Sequence, residues 1–501
     1  MKHLHNLSHY NLLSCRMGEL IPICMTETLM GDDHMQHSSI LLRATPTLAP
    51  TMHPVEVKMH HFFVPYRLVW DDFEDFITGG EDGNDASVYP TVTTDATSGA
   101  TGELMDYLGV PPYSSTGRTV SALPARCYNL IWNEYYRDEQ LQTALVIDTT
   151  SGPDTTTSLV LQNAPWQRDY FTTCRPSTQL GTAVSLPLGN TAPITGIGIN
   201  SGTTGAGPSQ TVHETDGSSS TTYTNQWVSN NSSPNNIVVE QDPSNTGYPN
   251  VRADLSAATG ASVIDFRLSL ALQRFQEARN NYGGRLDEYY RYYGVKAGDA
   301  RLQRPEYLGG GKQTIQWSEV LQSSPDSASS TYVGTLRGHG INATRTRKFR
   351  RFIPEHGIIL TLMSVLPKTM YPQGVHRLWT RTTKEDFFQK ELEGIGKQEV
   401  YNKELYFDHT NPDNVFGYQD RYDEYRRTQS RVSGEMRSTT YDFWHMARQF
   451  SSDPTLNADF VKSNPTERIF AASTNDTLLA MTNHTIHSRR FVSKRAKTFT
   501  R

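Results

Sequence analysis

The densest chemistry in the chain lies at its C-terminus. Arg489, Arg490, Lys494, Arg495, Lys497 and Arg501 place six cations in the last thirteen residues, with Phe491 and Phe499 interleaved and no acid after Asp476. Such cations neutralise phosphates without reading sequence, and aromatic rings stack on unpaired bases. A solvated basic tail is the plain alternative. A second run, Arg345, Arg347, Lys348, Arg350 and Arg351, packs five charges into seven residues. On a strand, alternation divides such a run between two faces. Nucleic-acid contact, inter-subunit ion pairs and a solvated edge all remain open for it.

Other chemistries find less support. A phosphate loop needs Gly five positions before its Gly-Lys and Ser or Thr after the Lys. Around Gly309–Lys312, Glu306 and Gln313 stand at those two places, so a chain turn is expected. The histidines His3, His5, His9, His34 and His37 are irregularly spaced and lack carboxylate or thiol partners at ligand spacing, so no metal site is expected. Cys15, Cys24, Cys127 and Cys174 are scattered without a CxxC pair, which reads as buried, reduced thiols. Asp71-Asp72, Glu74-Asp75 and Glu385-Asp386 are adjacent acids, better suited to a solvated helix face than to a glycosidase carboxylate pair. Neither G-x-S-x-G nor HExxH occurs. The expectation is a protein that is not an enzyme and has no cofactor.

The elements that must position these residues are mostly short. With 36% hydrophobic residues, a mean hydropathy of −0.56 and abundant Gly, Pro, Ser, Thr and Asn, the composition favours strands joined by long loops. A net charge of −5 is too mild to imply a nucleic-acid or membrane partner for the chain as a whole. The N-terminal stretch lacks an apolar export core, and no apolar run is long enough to cross a membrane. The chain is therefore expected to stay soluble in the cytoplasm until it assembles.

Residues 1–50 read as an extended arm. Pro54–His60 alternates Val55, Val57 and Met59 with polar residues, which marks a half-buried strand running on toward Pro65. Past Trp70, the acidic stretch Asp71–Ile77 reads as a helical turn stopped by Gly79-Gly80. Leu104–Pro112 and Leu123–Arg137 are predicted helices, the second with Pro124 at its first position and an apolar face of Cys127, Leu130, Ile131 and Tyr135. Trp166–Leu180 reads as a strand interrupted at Arg175-Pro176, and Lys384–Glu393 as a short helix. In 190–250, 40 of 61 residues are Ser, Thr, Gly, Asn or Pro, too polar to build a core of its own. Val263–Arg279 is the clearest predicted helix, with Ile264, Leu268, Ala271, Leu272 and Phe275 on one face. Phe352–Leu366 is the strongest core segment and reads as a buried strand.

Several runs resemble a single family. They are NLSHYNLLSCRMGELIPI at Asn6–Ile23, the stretch His60–Gly80, LPARCYNLIWNEYYRDEQL, RDYFTTCRPSTQLG, ARLQRPEYLGG at Ala300–Gly310, FIPEHGIILTLMSVLPKTMYPQG and YDFWHMARQF. All are similar to segments of the major capsid proteins of the small single-stranded DNA bacteriophages (Microviridae), gokushovirus branch. The Ala300–Gly310 run is the most specific. The resemblance implies a mainly β fold, an eight-stranded antiparallel jelly-roll (viral β-barrel) over 51–488 with inserted helices and long loops. It implies that 1–50 lies against neighbouring subunits, that 190–250 is a surface insertion clustered about threefold axes and facing the host, and that the basic tail 489–501 can face the genome.

As partners the resemblance implies identical subunits closing a T=1 icosahedral shell around circular single-stranded DNA, a minor or pilot protein, a small basic DNA-binding protein, a scaffolding protein and a host surface receptor. The protein would reside in the virion, and in the host cytoplasm before assembly, without membrane insertion. A secreted β-sandwich carbohydrate-binding module or glycosidase is the competing reading; it lacks an export signal and a convincing carboxylate pair.

Overall fold

The computed structural model describes residues 2–81, 84–112, 117–181, 194–195, 197–200, 236–239, 242–244, 250–253, 263–282, 303–324 and 332–494. The chain forms two compact units, one from 1–178 with 283–501 and one from 179–282.

The larger unit is built on two antiparallel sheets. Its strands are β1 (His3–Asn6), β2 (His9–Cys15), β3 (Leu20–Thr28), β4 (Asp32–Ala44), β5 (Val55–Pro65), β6 (Glu306–Thr314), β7 (Gln316–Leu321), β8 (Leu336–Arg345), β9 (Phe349–Ile353), β10 (Gly357–Pro367) and β11 (Leu478–Arg490). Sheet one runs β1 and β2 on β11, then β4, then β8 and β9, with β7 beyond β8. Sheet two runs β6-β5-β10-β3. β1 and β2 line successive parts of one edge of β11, as β8 and β9 do along β4. Counting each such pair as one broken strand leaves five strands in sheet one and four in sheet two, two facing antiparallel sheets as in a jelly roll.

Alternation explains the packing. The inward row of β4 reads Asp32, His34, Gln36, Ser38, Ile40, Leu42 and Ala44, all buried. Its apolar half meets Val55, Val57 and Met59 of β5, Met363 and Val365 of β10, and Leu478 and Ala480 of β11 in one core between the sheets. Its polar half meets His61, Thr346, Thr361, Thr482 and His484. There Gln36 donates to Thr361 at 3.2 Å, His61 lies 2.9 Å from Thr361 and 3.0 Å from Thr346, and His484 lies 2.7 Å from Ser38. Polar atoms this deep need such partners to offset lost hydration.

β10 lies inside sheet two and is covered on both faces, which is why it carries no polar alternation and is buried at every position. The sheet's outer face, with Phe62, Val64, Ile358, Leu360 and Leu362, packs against α3 (Leu123–Tyr135) through Leu123, Cys127, Tyr128, Ile131 and Trp132. Burying each large apolar side chain contributes about 1.5–3 kcal/mol. Trp70 is fully buried in the same core, and its indole donates to Ser151 at 2.8 Å. The helix α1 (Phe73–Thr78) follows and ends at Gly79, whose φ of +89° only glycine adopts without strain. The helix α2 (Leu104–Tyr107) stops just before Gly109.

Four expectations need correction. Most of 1–50, expected as an extended arm, supplies β1 to β4, because a polar inward row can still pair and bury. Tyr170–Cys174 is a buried turn rather than a strand; Asp169 caps it by accepting from the Phe171 and Thr172 amides. The GGGK run is no turn: it lies inside β6, at a bulge where Gly309 has a φ of +126° and a Cβ on Gly310 would strike the Met59 carbonyl. Lys384–Glu393 forms two 3₁₀ segments, Lys384–Asp386 and Lys390–Ile395.

In the smaller unit, Ile194–Thr195 pairs with Arg252–Ala253, and Ile197–Asn200 with Asn236–Val239. Its helix α4 (Val263–Tyr282) covers the predicted span, yet Leu268, Leu272 and Phe275 are exposed. Most of the 190–250 insertion lies outside the described residues.

Candidate nucleic-acid interface

Among the described residues, no element covers the outer face of sheet one. Register places Leu4, Tyr10 and Leu12 on the same side as Leu479, Met481, Asn483, Thr485, His487 and Arg489 of β11, and as Asp33, Met35, His37, Ser39, Leu41 and Arg43 of β4. Tyr10 is 72% exposed, Leu12 68% and Leu479 53%, so none of the described residues packs over them.

This face is divided by chemistry. One half is apolar, around Tyr10, Leu12, Leu41, Leu479 and Met481. The other half gathers His37, His487, Arg345, Arg350 and Arg489, with Phe352 opposite Asp33. Alternation splits the five-cation run of 345–351 as strand geometry requires. Arg345 and Arg350 reach the bare face, where Arg345 donates to His37 at 2.9 Å and Arg350 donates through Nε to Asp33 at 3.0 Å. Arg351 turns to Glu306 at 2.9 Å. Arg347 and Lys348 are exposed in the turn between β8 and β9.

Electrostatics on this half follow from the crowding. The guanidinium of Arg350 beside Asp33, helped by Arg489 and Lys2, holds that carboxyl below its ordinary range. Burial lowers His37, and the cations Arg345 and Lys348 lower it further.

The C-terminal cations do not act as one group. Arg489 is exposed on the bare face, and Lys494 is exposed beyond the strand end. Arg490 points the other way, its Nε 2.9 Å from the fully buried carboxylate of Asp32. Arg495, Lys497 and Arg501 lie outside the described residues. Phe491 is exposed, and the Lys2 ammonium sits 5.1 Å from its ring centre and 4.9 Å from that of Phe352.

Sequence reasoning missed Lys2 and His487 here. The period-two alternation of β4 and β11 was the available signal. Fixed cations beside exposed rings suit sequence-independent binding of a phosphate backbone with unpaired bases. The adjacent acids, by contrast, hold loops. Asp71 accepts from Thr149 at 2.6 Å, Asp72 from Ser151 at 2.6 Å, and Asp386 from the Thr383 amide at 2.8 Å.

A family model described as "Capsid protein (F protein)" matches residues 1–498. The chain is similar to the capsid protein VP1 of Bdellovibrio phage phiMH2K, 34% identical over 90% of this chain and 86% of that one. It is similar to the capsid protein VP1 of Chlamydia phage 1 at 32% identity, over 93% and 90% of the two chains. To the capsid protein VP1 of Spiroplasma virus 4 the identity is 29%, over 92% and 87%.

Proposed function

The chain belongs to the capsid protein (F protein) family, and we propose that it turns the bare face of sheet one toward a packaged single-stranded DNA. It is a structural, non-enzymatic protein of the virion that assembles into a multi-subunit shell. The observation that carries the orientation is the contrast between the two sheets. The outer face of sheet two is sealed by α3 and its core, whereas sheet one presents cations and rings to whatever lies beneath it.

In this reading many identical copies close a T=1 icosahedral shell around a circular genome. Arg489, Lys494, Arg495, Lys497 and Arg501 join Arg345, Arg347, Lys348 and Arg350 in neutralising phosphates. Arg490 holds Asp32 instead. The polar insertion 190–250 supports a host-facing role, with a surface receptor as its partner. A scaffolding protein, a pilot protein and a small basic protein complete the assembly.

The test uses purified protein and a single-stranded oligonucleotide, with affinity followed against salt. Each phosphate contact contributes about 0.7 to the slope of log affinity on log salt. Arg345→Gln, Arg350→Gln and Arg489→Gln together should flatten that slope by about 2. An unchanged slope would remove this face from genome contact.

A further inference from the structure

Sheet one and sheet two leave an open edge where β2 and β3 run past each other, each the last strand of its sheet. Three soft or borderline donors converge there. His9 of β2 lies directly opposite His484 of β11, with ring centres 5.2 Å apart, and both aim into the gap toward Cys24 of β3. We propose that His9, Cys24 and His484 bind a thiophilic divalent cation, Zn2+ being the ion whose preferred donors they match.

Geometry supports the assignment. The ligand atoms of the three residues all lie within 4.8 Å of one another, and His9 Nε2 is 3.7 Å from Cys24 Sγ. A tetrahedral zinc with bonds of about 2.05 Å to nitrogen and 2.3 Å to sulfur sets those two atoms about 3.6 Å apart. Both imidazoles are also oriented by second partners, as metal-bound histidines usually are. His9 Nδ1 lies 3.0 Å from the Leu7 carbonyl and donates to it, which leaves Nε2 with a free lone pair. His484 Nδ1 lies 2.7 Å from Ser38 Oγ, which leaves Nε2 for the ion. The Thr482 hydroxyl, 3.0 Å from that Nε2, would turn aside.

The register irregularity in β3 makes the convergence possible. Between Thr361 and Leu362 of β10, β3 carries one extra residue, Ile23. That bulge lets Ile23 fill the core while Cys24 also turns inward. The thiol's contacts are long: 3.7 Å to His9 Nε2, 3.7 Å to Thr26 Oγ1 and 3.9 Å to Gln36 Nε2.

Three protein ligands leave a fourth position for water, which can enter beside the exposed His9. On binding, the Cys24 S–H bond breaks, a sulfur–metal bond forms and the proton passes to solvent. The ion would tie the edge of one sheet, at β2 and β11, to the edge strand β3 of the other, so its role is a staple.

The experiment takes the full-length protein, freed of metal by chelation and dialysis, and reconstitutes it with Zn2+ or Co2+. Expected are about one ion per subunit and a thiolate-to-cobalt charge-transfer band. Cys24→Ser should abolish that band, and His9→Ala, at an exposed position that should fold, should weaken Zn2+ binding at least about tenfold. Absence of the band in the wild-type protein, or equal Zn2+ affinity in His9→Ala, would overturn the proposal.

Discussion

Replacing Arg126 with methionine probes the joint that holds α3 on sheet two. Arg126 and Asp154 are both completely buried, with Nε 2.8 Å from the carboxylate. The guanidinium also donates to the Val69 carbonyl at 3.0 Å and the Thr150 carbonyl at 3.1 Å. It thereby ties the helix to the chain entering Trp70 and to the loop at 148–157. Asp154 in turn accepts from the Thr156 and Thr157 amides at 3.1 and 2.9 Å and from the Thr157 hydroxyl at 2.6 Å. Burial acts to raise this carboxyl, but the Thr157 donors and then Arg126 prevail and hold it below its ordinary range.

Arg126→Met leaves a buried carboxylate without its cation and two carbonyls without a donor. Breaking a buried pair from one side costs about 3–5 kcal/mol. Adding Asp154→Asn removes the orphaned charge and keeps an acceptor for the threonine amides, so about 1–3 kcal/mol should return. Urea unfolding of unassembled subunits, followed by tryptophan fluorescence with Trp70 as the local reporter, measures both values. The wild-type pair should also lose its contribution in acid. A depressed carboxyl stabilises above its unfolded value of about 3.9, and that stabilisation fades as pH falls through the lower folded value. Arg126→Met within about 1 kcal/mol of wild type would refute the reasoning.

Further outcomes follow from other buried groups. Burial lowers His53 to about 4 and His60 to about 4, and lowers His61 to about 3. Their stabilisation is complete above the unfolded value of about 6.5 and is lost as pH falls toward 4, so His61→Gln should flatten the stability–pH curve across that window. Glu19 is raised to about 7 by burial and by Asp476 against the Arg16 amide. It stabilises below about 4.5 and progressively less as pH rises through 7, so Glu19→Gln should raise the Tm at pH 8 and leave it unchanged at pH 4. Ending the chain after Arg490 should spare the fold, whereas ending it before Arg489 should destabilise it by about 2–4 kcal/mol, because Asp32 loses its buried partner. Comparing Tm for the two truncations separates folding from genome contact. Equal Tm values would show that Arg490 is dispensable.

Periodicity and stop signals were legible wherever neighbours along the chain decide structure. Val55, Val57 and Met59 announced β5, the unbroken apolar run announced β10, and Pro124 and Gly79 marked where helices begin and end. The jelly roll and the capsid role came through resemblance at spaced runs rather than through composition.

What remained hidden depended on pairing between distant segments. β4 looked like an arm because half of its inward row is Asp, His, Gln and Ser. β5, β10 and β11, brought alongside it, together with Thr346 at the end of β8, supply the Thr and His partners that make those residues a stable interior. Arg490 read as tail because its charge is local information, while its commitment to Asp32 is set by β11 lying against β4. The convergence of His9, Cys24 and His484 is likewise a product of sheet register and one bulge. The sequence by itself determined which residues alternate, which segments are apolar and where charge accumulates, since these depend on residues a few positions apart. The tertiary structure alone decided which polar groups find partners and which cations stay free to meet a ligand, because hydrogen bonds and ion pairs reach only about 3 Å and their partners lie hundreds of residues away.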